Sequence, residues 1–120
     1  MEFRQLTKAE EEIMHYFWNL GQCTVSDIIN EMAEPKPPHS SVSTIVRILE
    51  KKGFLDHKAF GRTYAYFPLI SREAYSGHSM DRFVDSFFEG SYSNLVSFIA
   101  KEKELSVTEL NELYRLLEDK

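Results

Sequence analysis

HSSVSTIVRILEKKGFL, residues 39–55, has the pattern of an α-helix that is buried on one side and polar on the other. Its apolar residues recur at steps of three and four, the spacing that places side chains on one helical face. These residues are Val42, Ile45, Val46 and Leu49. We predict a helix from about Ser40 to Gly53, with this stripe turned toward a core.

The opposite face of the predicted helix carries hydroxyl and basic side chains. At about 100° per residue, this face holds Ser40, Thr44, Arg47 and Lys51, and Ser41 and Ser43 lie beside it. Short hydroxyls near a helix N-terminus allow close approach to a phosphate or a base edge, and an arginine can bind guanine through two hydrogen bonds. The same residues also fit a solvated face with a serine N-cap. The helix alone therefore leaves nucleic-acid binding and ordinary solvation both open.

The net charge of −5 hides an uneven distribution along the 120 residues. Residues 35–72 contain seven basic and two acidic side chains, a balance of +5, whereas residues 1–34 and 73–120 each have a balance of −5. A basic segment between acidic flanks is an electrostatic footprint for nucleic acid. We expect the acidic flanks to suppress indiscriminate DNA binding and to confine contact to the basic segment.

Two shorter helices are predicted before residue 39. Thr7 and Glu10 have the spacing of a capping box at a helix start, and Gly21 provides the stop. Thr24 can cap a second helix, VSDIINEM. The run PKPPH at 35–39 cannot continue a helix, because each proline removes a hydrogen-bond donor and restricts the residue before it.

After residue 53 the sequence changes to a strand pattern. The aromatic-rich segments FLDHKAF and TYAYFPL flank Gly61 and Arg62, which predicts a β-hairpin with Pro68 at its end. Lys58 and Arg62 near the tip are placed to contact a DNA backbone or minor groove. Three short helices and a hairpin outline a winged helix-turn-helix. We therefore predict a mainly α fold with a small β-hairpin, in which residues 1–72 form a winged-helix DNA-binding domain.

Residues 73–120 are predicted to be helical, with a further capping box at Ser106 and Glu109. A segment of 48 residues is too small to hide its large apolar side chains by itself. They can close over the winged helix as one core or pair with a second chain, and we favour the second arrangement, a helical dimerisation domain. The side chains assigned to the dimer contact are Phe83, Phe87, Phe88, Leu95, Ile99, Leu110, Leu113, Tyr114 and Leu117.

We expect no enzymatic activity, metal site or cofactor. The four histidines, at positions 15, 39, 57 and 78, lie 18 to 24 residues apart, which is not the spacing of metal ligands. The sequence contains no GxSxG, P-loop or GxGxxG motif. These absences disfavour an enzyme.

The expected location is the cytoplasm, without membrane insertion. The single cysteine, Cys23, cannot form an intramolecular disulfide, as is typical of a reducing compartment, and we expect it to be a half-buried packing thiol. There is no run of about 18 apolar residues. The N-terminus, MEFRQLTKAEEE, lacks the apolar segment of a secretion signal.

The strings LTKAEEEIMHYFW, CTVSDI, STIVRILEKKGFL and GRTYAYFPLI resemble successive motifs of the penicillinase-repressor family, in unbroken order from about residue 5. The C-terminal ELSVTELNELYRLLEDK is similar to the last helix of its β-lactam-responsive branch. The resemblance implies a homodimeric winged-helix repressor that occupies a dyad-symmetric double-stranded DNA operator and blocks transcription.

The resemblance also implies roles for particular positions. Ser43, Thr44 and Arg47 match positions that contact DNA in relatives, and Arg62 would lie near the backbone. In the β-lactam branch a membrane-bound sensor protease relieves repression by cleaving the C-terminal domain. The corresponding peptide joins Ser97 and Phe98, where relatives usually have Asn before the Phe.

Two further departures from the family pattern are visible. Copper-responsive relatives carry a C-terminal pair of Cys-x-Cys motifs, which this chain does not have. The loop before the recognition helix usually holds an aromatic residue where this chain has PPH. An alternative function also stays open, a winged-helix protein-interaction module without DNA-binding activity, whose polar face would meet an acidic partner.

Overall fold

The computed structural model describes residues 4–103 and 106–118, apart from the side chains at 114, 117 and 118. Six helices and two strands follow one another as α1 (Lys8–Leu20), α2 (Val25–Glu31), α3 (His39–Lys51), β1 (Leu55–Phe60), β2 (Thr63–Pro68), α4 (Arg72–Phe88), α5 (Tyr92–Lys103) and α6 (Val107–Glu118). The chain divides into two compact units, and the division falls between Ser76 and Gly77. A mainly helical chain with one antiparallel hairpin agrees with the predicted fold class.

The first two helices begin at capping boxes. The Thr7 hydroxyl accepts the backbone N–H of Glu10 at 3.2 Å, and the Glu10 carboxylate accepts the N–H of Thr7 at 2.9 Å. Thr24 and Asp27 repeat this arrangement at 3.1 and 2.9 Å. Each box satisfies two N–H groups that a helix start leaves without partners. The predicted starts of α1 and α2 are therefore confirmed.

The third helix begins without a side-chain cap. Its N-cap is Pro38, at φ −61°, and no side chain accepts a hydrogen bond there. The proposed serine N-cap is wrong, because Ser40 and Ser41 lie inside the first helical turn and remain exposed. Pro38 has the extended ψ of 143° that an N-cap residue adopts, so the chain enters α3 directly from the PKPPH break.

The core of the first unit collects one face from each element. Met14 and Phe17 of α1, Ile28 of α2, and Phe54 beside β1 are fully buried. The predicted apolar stripe of α3 is confirmed, since Val42, Val46 and Leu49 are buried and Ile45 packs partly buried against them. Full burial of such side chains contributes about 1.5–3 kcal/mol each.

The hairpin pairs β1 and β2 in antiparallel register, from Leu55 opposite Pro68 to Phe60 opposite Thr63. Gly61 occupies the turn at φ 62°, a conformation that glycine adopts without steric cost. Tyr66 also exchanges two backbone hydrogen bonds with Cys23, at 2.8 and 3.0 Å. This bridge anchors the hairpin to the segment between α1 and α2.

The start of α4 belongs to the first unit, because Tyr75 is buried in its core. The Tyr75 hydroxyl accepts the backbone N–H of Leu6 at 3.2 Å and donates to the Glu11 carboxylate at 2.5 Å. The proposed boundary between residues 72 and 73 falls at the beginning of this helix. The functional assignment of the two domains stays a prediction.

The second unit contains the rest of α4 with α5 and α6. Val84, Leu95 and Val96 are buried. The predicted capping box at the start of α6 is confirmed, because Ser106 and Glu109 exchange hydrogen bonds of 3.1 and 3.3 Å. Among the described residues, no helix is long and apolar enough to cross a membrane.

Candidate nucleic-acid interface

One face of α3 is accessible to a large partner. Opposite the buried stripe, five of the proposed DNA-contacting side chains are exposed and Ser43 is half-buried. The exposed ones are Ser40, Ser41, Thr44, Arg47 and Lys51. The Thr44 hydroxyl donates to the Ser40 carbonyl at 2.9 Å, which leaves the hydroxyl oxygen free to accept a further bond.

The hairpin carries the other two proposed DNA-contacting residues. Lys58 and Arg62 are exposed on β1 and in the turn, and the Lys58 ammonium lies 5.6 Å from the centre of the Phe67 ring. Ser43 and Arg62 line one cleft of about 240 Å³. The structure therefore joins the recognition-helix candidate and the hairpin in one continuous surface.

Three of the seven basic side chains in residues 35–72 are engaged within the protein. The Lys36 ammonium donates to the Met32 carbonyl at 2.6 Å and to two more carbonyls at the end of α2. Lys52 forms an ion pair with Glu10 at 2.6 Å. The Arg72 guanidinium donates to the Asn19 side chain at 2.6 Å and lies over the Trp18 ring. These groups stabilise helix ends and packing rather than form an open basic surface.

The other cations of α3 and the turn are directed outward. Across residues 4–103 and 106–118, Arg47, Lys51 and Arg62 form no ion pair or side-chain hydrogen bond. All three are exposed. A polyanion can meet these three charges without breaking an internal ion pair or hydrogen bond, whereas the exposed Lys58 already lies over the Phe67 ring.

An acidic and aromatic neighbourhood lies beside this surface. The Glu50 carboxylate contacts the His57 ring nitrogen Nδ1, which connects the last turn of α3 to β1. Burial raises the pKa of Tyr66, and the charge of Glu50 raises it further, whereas Arg47 acts in the opposite direction. These effects place Glu50, Arg47 and Tyr66 within electrostatic reach of one another.

The Glu50, Asp56 and His57 side chains form a cluster that the sequence interpretation missed. One ligand atom from each residue lies within 4.8 Å of the other two. The spacing between histidines does not reveal this group, because it combines one histidine with two carboxylates. The signal available in the sequence was an acidic residue, Glu50, directly before KKGFLDH, whose last two residues are the other two members of the cluster.

The Cys23 thiol is more deeply buried than predicted. Burial and, to a smaller extent, the charge of Asp27 raise its pKa to about 11. The thiol is therefore protonated at neutral pH, which fits a packing role rather than a reactive one.

The proposed dimer residues occupy different environments in the single chain. Phe83 and Phe87 are exposed by 46% and 72%, whereas Leu95 is buried within its own chain. Phe88, Ile99, Leu110 and Leu113 are half-buried. The side chains of Tyr114 and Leu117 lie outside the described residues.

Exposed aromatic rings connect α4 to α5. Phe83 contacts the Phe87 ring at 5.1 Å and the Phe88 ring at 5.9 Å between centroids, and Phe88 contacts Phe98 at 5.5 Å. Phe98 is itself 51% exposed. The aromatic patch, defined here as Phe83, Phe87, Phe88 and Phe98, also contains the second residue of the proposed cleavage peptide. Ser97 is exposed beside it, in the middle of α5.

A family model described as penicillinase repressor matches residues 6–119. The chain belongs to the penicillinase repressor family. This confirms the resemblance seen in the sequence, and it confirms the expectation that the chain is not an enzyme, since the family is one of transcriptional repressors.

Individual members of the penicillinase repressor family are similar along nearly the whole chain. The penicillinase repressor of Bacillus licheniformis is 29% identical over 116 residues, which cover 96% of this chain and 91% of that protein. The methicillin resistance regulatory protein MecI of Staphylococcus aureus (strain N315) is 26% identical over 117 residues, which cover 97% and 95% of the two chains.

The solution structure of the DNA binding domain of the repressor BlaI is similar with a TM-score of 0.54 and 28% identity. The match covers 62% of this chain and 92% of that one. It confirms the winged-helix part of the predicted fold.

Proposed function

We propose that this protein is a homodimeric transcriptional repressor that binds a dyad-symmetric double-stranded DNA operator through α3 and the hairpin. The observation that carries the proposal is the outward direction of Arg47, Lys51 and Arg62, while three other cations of the same segment are held by internal contacts. The similarity to the DNA binding domain of BlaI supports it.

In this proposal α3 lies in the major groove. Ser40, Ser41, Ser43 and Thr44 form its leading turns, where small side chains let the helix approach the base edges and phosphates closely. Arg47 reads a base edge, and Lys51 contacts a phosphate as a point charge. Lys58 and Arg62 of the wing hold the neighbouring backbone.

The proposed dimer forms through the second unit. Phe83, Phe87 and Phe98 expose about half or more of their surfaces, and Phe88 connects them into one patch. Apolar groups of this size gain stability when a second chain covers them. A dimer of this kind sets two copies of α3 about 34 Å apart, the distance of one DNA turn.

Relief of repression is proposed to follow cleavage between Ser97 and Phe98 by a membrane-bound sensor protease. Both residues are exposed, which favours access. They also lie within a helix, and a protease requires an extended substrate, so α5 must unwind locally before cleavage. Cleavage there separates Phe98, the end of α5 and α6 from the other three residues of the aromatic patch.

Binding of a duplex from the protein's own promoter, followed by fluorescence anisotropy, tests the function. We expect Arg47→Ala to lower affinity for the operator by roughly 1–3 kcal/mol and to relax preference at particular bases. An equal loss on every sequence would make Arg47 a phosphate contact. Absence of binding by a confirmed dimer would contradict the repressor and favour the protein-interaction module.

A further inference from the structure

We propose that Glu50, Asp56 and His57 form a binding site for a divalent transition metal such as Zn²⁺, at the junction of α3 and β1. The donor set is one imidazole nitrogen and two carboxylate oxygens, a mixture that zinc and its neighbours in the first transition row accept. None of the three donors belongs to the set of DNA-contacting residues proposed above.

The geometry of the three donors suits one ion. Their ligand atoms all lie within 4.8 Å of one another, and Glu50 already contacts Nδ1 of His57. Zinc bonds of about 2.0–2.2 Å place the donors of one ion about 3–4 Å apart. Small side-chain rotations therefore complete the site, and water supplies the remaining positions.

The backbone that carries the donors is fixed before any ion binds. Phe54 and Leu55, between Glu50 and Asp56, are buried in the core. The N–H of Phe54 donates to the Leu49 carbonyl at 2.9 Å, and the N–H of Gly53 donates to the Glu50 carbonyl at 3.0 Å. Ligands held in this way lose little freedom when they bind, which favours affinity.

Neighbouring groups orient the donors. The His57 ring lies against the Tyr64 and Tyr66 rings, with centroids 4.5 and 5.6 Å away. The Asp56 carboxylate accepts the backbone N–H of His57 at 2.8 Å, which holds one of its oxygens and leaves the other to the ion. Such supporting contacts are what positions ligands in metal sites.

Three cations lie near the donors in sequence or in space. Lys52 follows α3 but is paired with Glu10. Lys58 lies two residues after Asp56 and shares its face of β1, and its ammonium lies over the ring of Phe67, the cross-strand partner of Asp56. Arg47 forms no ion pair with Glu50 in the part of the chain that the structure describes. In the described part of the chain, neither Glu50 nor Asp56 forms an ion pair with a lysine or an arginine.

The site lies where α3 meets the hairpin, so a bound ion would affect how these two elements are held together. An ion held by Glu50 of α3 and by Asp56 and His57 of β1 fixes the hairpin against the helix. If the proposed DNA binding holds, bound metal changes the affinity for the operator by some factor. Bound operator then changes the affinity for the metal by the same factor. That linkage rests on the proposed function, whereas metal binding does not.

Calorimetric titration of the untagged full chain with Zn²⁺ alone tests the site. We expect one ion per chain, with affinity reduced tenfold or more in His57→Ala and also reduced in Glu50→Gln, which keeps the shape of the side chain. His15→Ala is the matched control, because His15 is exposed on α1 beside Trp18 and away from the cluster. Its affinity should equal that of the parent protein. Circular dichroism of each variant confirms that it folds.

Two results would overturn the metal site. One is a parent protein that binds no Zn²⁺ at millimolar concentration. The other is equal binding by folded His57→Ala and the parent, which would put the ion elsewhere. Because the titration contains no DNA, neither result bears on the proposed DNA binding. Equally, a failure to bind DNA would not contradict the metal site.

Discussion

Lys52, directly after α3, donates to the Glu10 carboxylate at 2.6 Å, and the two side chains are only 16% and 8% exposed. The same Glu10 carboxylate accepts the N–H of Thr7 in the capping box of α1. One acidic group therefore starts the first helix and holds the end of the third. Because of this contact, Lys52 stabilises the fold and is not available to a partner on the surface of residues 35–72.

Lys52→Met should destabilise the fold, because it leaves the Glu10 carboxylate shielded from water without its cation. We expect the free energy of unfolding in urea to fall by about 3 kcal/mol. Lys51→Met, at the adjacent exposed position, is the matched control and should change stability by less than about 0.5 kcal/mol. Equal effects of the two substitutions would show that the ion pair between Lys52 and Glu10 does not stabilise the fold.

Stability should also depend on the protonation of Glu10. Burial alone raises its pKa, but hydrogen bonds from Lys52 and the Thr7 backbone outweigh this and hold the pKa below the ordinary value of 4.5. The contribution is therefore fully present above pH 4.5 and is lost as pH falls through the folded pKa. Urea unfolding should show that parent and Glu10→Gln differ at pH 7 and converge toward pH 3. A constant difference would contradict this assignment.

The Cys23 thiol should react slowly in the native protein. With a pKa of about 11 against 9.0 for a free thiol, its thiolate fraction at pH 8 is roughly 100-fold lower than in the unfolded chain. Reaction with a chromogenic disulfide reagent should be slower by at least this factor without denaturant than in urea. Native reaction at the unfolded rate would show that the thiol is accessible and ionised.

Phe87→Glu should weaken the proposed dimer at least tenfold, because it places a charge on the most exposed ring of the aromatic patch. Phe87 is 72% exposed in the single chain, so the protomer should still fold. Sedimentation velocity across a concentration series measures the change. Leu69→Glu provides the control, since Leu69 is 55% exposed in the first unit and its substitution should leave association unchanged. A parent protein that stays monomeric would contradict the dimer.

The features that the sequence predicted are local ones. Helix caps at Thr7, Thr24 and Ser106 need partners only three residues away, and the buried stripe of α3 needs only helical periodicity. The hairpin followed from two strand patterns around Gly61. Each of these signals lies within about a dozen residues of sequence.

The features that the sequence did not predict depend on distant contacts. Lys52 and Glu10 are 42 positions apart, and the backbone bridge between Cys23 and Tyr66 joins segments with no shared pattern. That bridge also explains why Ala65 and Tyr66 are both buried, although a strand with one open face would alternate. Tyr66 is covered because the segment before α2 pairs with it.

We propose that Lys51 and Arg62 belong to the DNA-contacting surface, whereas basic residues outside it do not. The most direct test of this proposal is the salt dependence of affinity for the promoter duplex, compared among the parent, Lys51→Ala/Arg62→Ala and Lys8→Ala. Each phosphate contact contributes about 0.9 to the slope of log K against log salt, so two lost contacts in both protomers should reduce the slope by about 3.6. Lys8, exposed on α1, should leave the slope unchanged. A double variant with the slope of the parent protein would show that Lys51 and Arg62 do not contact DNA phosphates.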